Sequence, residues 1–144
     1  MSRIISFRGL IADGGQDTIP IQTIRGLIGY KVVKFQLMPN EPGEAHQEHT
    51  VKIYKIKQTV INNTVDFADN TLLGTAYYHE GDSPANPASF QVIFDNEIFN
   101  QDIYVTASDV VGATPINYYI ELEQMDLNFD EATVATLKDI RNND

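Results

Sequence analysis

The chain contains no cysteine and no tryptophan, and its ten lysines and arginines face twenty aspartates and glutamates over 144 residues. The missing thiols exclude disulfides, zinc–thiolate sites and cysteine nucleophiles, and they permit a reducing compartment. The shortage of positive charge leaves a formal net charge of -10. A field of that sign repels phosphate backbones and anionic headgroups, so neither nucleic acid nor a membrane is an expected partner. No segment reaches the ~20 apolar residues of a spanning helix. Residues 1–11 (MSRIISFRGLI) carry two arginines among few apolar side chains. They lack the apolar core of a signal peptide, and the expectation is a protein made without export.

What the chain does have is alternation. Within 117–127, Tyr118, Ile120 and Leu122 fall on one face of an extended segment and Tyr119, Glu121 and Glu123 on the other, the pattern of a strand buried on one side. Residues 29–38 read as a second strand with Val33, Phe35 and Leu37 on one face. In 50–61, Lys52, Lys55 and Lys57 share a segment with Val51, Ile53 and Ile56, as on a strand with one wet face or a protected edge. Residues 65–74 are ambiguous, with a helical turn capped near Asp69 as one reading, and a strand follows at 75–79. The alternating segments 90–94 and 103–106 are expected to pair with each other across 97–100, and 80–87, with Gly81, Pro84 and Pro87, is a loop.

Near the carboxyl end the period becomes helical. Asn128 followed three residues later by Glu131 is a capping-box spacing, and it predicts a helix over 129–141. Val134 and Leu137 form its apolar pair, with Leu137 the expected anchor on the domain's own core or on a neighbouring subunit. At the other end, residues 1–25 have no turn-coupled partner strand nearby and read as an extended N-terminal arm. The fold class expected is therefore mainly β: an antiparallel β-sandwich of jelly-roll type over 26–144 with a short C-terminal helix, a closed barrel being hard to separate from it.

Few residues suggest chemistry. Glu44, His46, Glu48 and His49 bring imidazoles and carboxylates together, but their spacing is not that of a helical metal motif, and a solvated loop that contacts a partner is the better reading. Asp95, Glu97 and Asp102 supply oxygen donors without the glycine and ordered spacing of an EF-hand, so Asp95 and Asn96 are expected to cap a turn while Ile98 and Phe99 plug the core. Ser83, Ser89 and Ser108 sit in or beside turns without a nucleophile elbow. The sequon at Asn62 carries no weight without an export signal. In Tyr77-Tyr78 and Tyr118-Tyr119, one ring of each pair points outward, to stack on sugars or, better, to enter a subunit interface. No catalytic, cofactor or metal residue is assigned.

Six segments carry a resemblance: 29–39 (GYKVVKFQLMP), 51–55 (VKIYK), 65–73 (VDFADNTLL), 93–104 (IFDNEIFNQDIY), 117–123 (NYYIELE) and 131–141 (EATVATLKDIR). Together they resemble a family of small proteins encoded by marine tailed bacteriophages. The resemblance runs from about residue 26 onward and implies a virion structural component, with no catalytic residue to carry over. The expectation is a capsid decoration or cement protein, assembled in the host bacterial cytoplasm. It would bind the major capsid protein or other virion proteins and its own copies, as a homo-oligomer for which a trimer is one option. Its assembly contacts would be Ile4, Ile5, Phe7 and Arg8 of the arm and Val134 and Leu137 of the helix. The rival expectations are a tail, neck or fibre component, and a carbohydrate-binding surface module using the outward tyrosines and the 80–87 loop.

Overall fold

A computed structural model describes residues 3–43, 46–81, 88–94 and 96–142. In chain order the elements are β1 (Arg3–Ile11), β2 (Gln16–Ile19), β3 (Ile28–Pro39), β4 (Gln47–Tyr54), β5 (Leu72–Glu80), β6 (Ala88–Ile93), β7 (Ile103–Asp109), β8 (Ile116–Asp126) and α1 (Phe129–Asn142). They form two antiparallel sheets, one of order β1-β8-β3 and one of order β2-β7-β4-β5-β6. The protein is thus mainly β with one short C-terminal helix, as its alternation predicts.

Between the sheets, Ile116, Tyr118, Ile120 and Leu122 of β8 and Val32 and Phe35 of β3 pack into one cluster with Val51, Ile53, Leu73, Ile103 and Val105 of the larger sheet. β8 buries every second residue from Ile116 to Leu122, because a strand sends alternate side chains to opposite faces. In β3 the phase breaks. A bulge between Val32 and Lys34 inserts Val33, so the inward residues are Val32 and Phe35, three apart, and Val33 does not share their face as its spacing suggests.

Three further expectations change. Residues 3–11 are no arm: β1 pairs with β8 along its whole length, from Arg3↔Gln124 to Ile11↔Ile116, and Ile5 and Phe7 pack against the core. Their partner lies more than a hundred residues away, out of reach of any turn-based argument. Lys52 and Lys55 are buried, not wet. β4 lies between β5 and β7, and the chain after Tyr54 folds back over its outer row. There the Lys52 ammonium donates to the Thr64 carbonyl at 2.6 Å, and its neighbour's ring, Tyr54, lies 5.5 Å away. Finally, 90–94 and 103–106 do not pair, since β6 sits beside β5 at one edge and β7 lies between β2 and β4.

The helix begins with the expected reciprocal cap: Asn128 N–H donates to Glu131 Oε1 at 3.1 Å, and Glu131 N–H to Asn128 Oδ1 at 2.8 Å. It docks through its small residues. Ala132 and Ala135 are buried with Leu127 against Leu27, Ile98 and Met125, whereas Val134 and Leu137 are 63% and 56% exposed. Leu137 is therefore not an anchor on this chain's core. The anchor is polar: buried Asn100 donates from Nδ2 to the Gly26 carbonyl at 3.1 Å and to Thr136 Oγ1 on α1 at 2.7 Å.

Candidate functional site

Register decides where the titratable residues meet. His49 of β4 lies opposite Asp109 of β7 on one side and Tyr78 of β5 on the other, all at one end of the sandwich. The Asp109 side chain is buried and closes the turn that follows it. Oδ1 accepts from the N–H groups of Glu48, Val111 and Gly112 at 3.0, 3.1 and 3.0 Å, and Oδ2 from Thr114 N–H and Oγ1–H at 2.9 and 2.8 Å. Gly112 is required there because a Cβ would collide with the carbonyl oxygen of His46. Burial raises the Asp109 pKa, but these donors more than offset it and hold the carboxyl far below the usual carboxylate range.

The neighbouring His49 is shifted toward its neutral form. Burial lowers its pKa, and the pull of Asp109 and Asp13 in the other direction is smaller. Its Nε2 lies 2.9 Å from Gln47 Oε1, a contact that requires the proton on Nε2. Thr114 Oγ1 is 3.4 Å from the same nitrogen. A nitrogen that already carries a proton cannot take one from Thr114, whose hydroxyl is committed to Asp109. These contacts hold the turn that follows β7.

Of the four residues weighed as a metal cluster, the three that are described do not form one. Glu44 lies outside the described residues, His46 sits in a turn with φ 64°, and Glu48 and His49 occupy opposite faces of β4. Glu48 instead accepts from the Tyr77 hydroxyl at 2.7 Å; burial and this bond push the tyrosine pKa up to about 12. Among the described residues, no group of three or more His, Asp or Glu is placed to hold a metal ion.

In the other acidic set, Asp95 is outside the described residues and Asp102 accepts from the N–H groups of Ile21 and Gln22. Glu97 accepts from Lys55 at 2.6 Å and Lys138 at 2.9 Å, tying α1 to the sheet. Phe99 fills the core against Tyr30, their ring centroids 6.2 Å apart, as expected. Ser89 lies on β6 and Ser108 on β7. Ser83 and most of the 80–87 loop fall outside the described residues.

The surface features are more suggestive. Across the outer face of the small sheet, register aligns Arg8, Tyr119 and Gln36 in one row and Leu10, Asn117 and Met38 in the next. These rows floor an open groove of about 880 Å³ that reaches Ser89 and Gln91 of β6. The Tyr119 hydroxyl donates to Glu121 Oε2 at 2.7 Å, two residues along its own strand, which lays the ring along the sheet. On α1, Phe129, Val134 and Leu137 are exposed.

No protein-family model matches the chain, and no curated protein does.

Of the six expected assembly residues, Ile5 and Phe7 face the core, while Ile4, Arg8, Val134 and Leu137 face outward. The sequence reading missed Asp109 and Asn100, whose polar side chains pin the turn and the helix. For Asp109 a signal existed: aspartate three residues before a glycine and five before a threonine is a turn-capping spacing.

Proposed function

We propose that this protein is a non-enzymatic structural subunit of a tailed-bacteriophage virion, of the decoration or cement kind, binding the major capsid protein and its own copies. The observation that carries the assembly reading is the inverted helix: α1 docks by alanines and turns Phe129, Val134 and Leu137 to solvent, and exposed apolar groups in one place mark a contact surface. The virion reading rests on the resemblance of the six segments. A jelly-roll description is supported by the strand orders β1-β8-β3 and β2-β7-β4-β5, which two interlocked Greek keys produce, with β6 kept beside β5.

Copy number tests it. Quantitative mass spectrometry of purified particles should find on the order of hundreds of copies, whereas a neck or tail component in a closed ring would give about a dozen or fewer. Absence from the particles would overturn the reading.

A second reading, a carbohydrate-binding surface module, is favoured by the groove over the small sheet, where Tyr119 lies among Gln36, Gln91 and Asn117. An aromatic ring flanked by amides suits a pyranose, whose C–H face stacks while its hydroxyls exchange hydrogen bonds. Binding on a glycan array that is lost in Tyr119→Ala would support it, and no binding to any glycan would remove it.

A further inference from the structure

Strand β6 leaves a row of main-chain groups unused. It pairs with β5 on one side only. One step beyond the Gly74↔Ile93 pair, the Phe94 N–H donates to the Leu73 carbonyl at 3.0 Å. Hydrogen-bonded pairs alternate along an antiparallel ladder, so Val92, Phe90 and Ala88 bond to β5, and Ser89, Gln91 and Ile93 turn their N–H and C=O groups to the free side. Among the described residues, no strand pairs with them there. Ser89, Phe90, Gln91 and Val92 are all exposed, on both faces of the strand, as an open flank requires.

Free edges are ordinarily guarded by charge, proline, a bulge or shortness. The other three edges of the two sheets are guarded in this way: β1 carries Arg3 and Arg8, β2 is four residues long, and β3 has Lys31, Lys34, Pro39 and the bulge after Val32. β6 has no charge, no proline and no register shift, and its Phe90 and Val92 are exposed.

We propose that β6 pairs antiparallel with β6 of a second copy about a twofold axis at Gln91, joining the two larger sheets into one. The inference rests on the assembly reading and names a contact for it. Unpaired N–H and C=O groups along an edge are satisfied by a strand, and the sequence of β6 selects its own. With Gln91 opposite its counterpart, Ser89 falls opposite Ile93, and the free groups of the two copies exchange about six hydrogen bonds. Any other register within the strand makes fewer. Phe90 and Val92 then meet twice across the axis on one face, an aromatic ring against a β-branched side chain, which is a favourable cross-strand pair. A twofold contact sets a strand against itself, so a charge near its centre would face its own sign. β6 carries none, in a chain whose net charge is -10. The contact is only six residues long, so the dimer is expected to dissociate in the micromolar range and to gain from the many-copy setting of a particle.

Sedimentation of the purified chain over a range of concentrations, with amide hydrogen exchange, tests the proposal. A reversible dimer is expected, and exchange at Ser89, Gln91 and Ile93 should slow as concentration rises, while Phe90 and Val92, already bonded to β5, change little. Gln91→Lys and Gln91→Glu should each weaken the dimer at least about tenfold without lowering the melting temperature, because that side chain is exposed. Mixed one to one, the two variants should pair again, since an ammonium then faces a carboxylate on the axis. A chain monomeric at every concentration, a dimer indifferent to both substitutions, or a mixture that does not recover would each overturn the proposal. Protection of the edge only within virions would assign it to another virion protein and overturn self-pairing likewise. Particle copy number is measured separately, so loss of the pair with the chain still abundant in virions would leave the assembly reading standing.

Discussion

A chain lacking residues 1–12 is expected not to fold. The deletion removes β1, which supplies one of the three strands of the small sheet and the inward side chains Ile5, Phe7 and Ile11. Full burial of such a side chain contributes about 1.5–3 kcal/mol; Ile11 is fully buried and Ile5 and Phe7 half-buried, so their loss removes a large part of the roughly 5–15 kcal/mol net stability of an ordinary domain. It also strips one edge of β8, leaving Ile120 and Leu122 under a two-stranded ribbon and their backbone groups without the ladder that β1 provides. Gly9 shows how closely the strand fits, since a Cβ there would touch the ring and hydroxyl of Tyr118. Circular dichroism with thermal melting checks this. A cooperative transition in the truncated chain would mean that β1 is dispensable after all.

The Asp109→Ala variant is expected to lose about 4 kcal/mol. It leaves the N–H groups of Glu48, Val111, Gly112 and Thr114 without their acceptor; the turn itself exposes Val110 and Val111, so water reaches some of these donors, and each one it does not reach costs about 1–3 kcal/mol. The same site sets the pH dependence. A carboxyl whose folded pKa lies below its unfolded value of about 3.9 contributes stability that is complete above that pH and lost as pH falls toward the folded pKa. His49, with its pKa lowered by burial, adds an earlier loss. Below about pH 6.5 the unfolded chain binds a proton that the folded imidazole refuses, so stability declines from there down to the folded pKa. Both effects make the protein more stable as pH rises. Urea midpoints should therefore fall on acidification in two stages, and His49→Gln should remove the upper one. A midpoint that stays flat between about pH 5 and 6.5 in the unaltered protein would contradict the role given to His49.

Side-chain period made β8, the helix cap and the body of β3 legible from the sequence, because each depends on neighbours a few residues away. Partner choice was not local. β7 pairs with β4 and β2 instead of with β6, the strand that precedes it in the chain, and β1 finds β8 across almost the whole sequence. Period identifies a face of a strand or helix but not what covers it, and that is why Lys52 and Lys55 looked wet and Leu137 looked buried. The lysines are covered by chain that folds back after β4. The helix presents alanines to the domain, where Leu127 fills the approach so tightly that a Cβ at Gly29 would meet its methyl groups. Among the expected assembly residues, Ile4 and Ile5 are adjacent and equally apolar, and only the pairing with β8 sends one outward and the other toward the core.

The central position of β8 has a consequence for the order of events during synthesis. Among the described strands it is the last in the chain, yet it separates β1 and β3, which do not pair with each other. A nascent chain that has emerged through β7 can close much of the larger sheet, but its first strand has no neighbour to hydrogen-bond until β8 arrives. Contacts this distant in sequence slow folding, and they leave apolar edges open while ribosomes hold the unfinished chains near one another. The most vulnerable interval of synthesis therefore lies between the translation of β1 and that of β8.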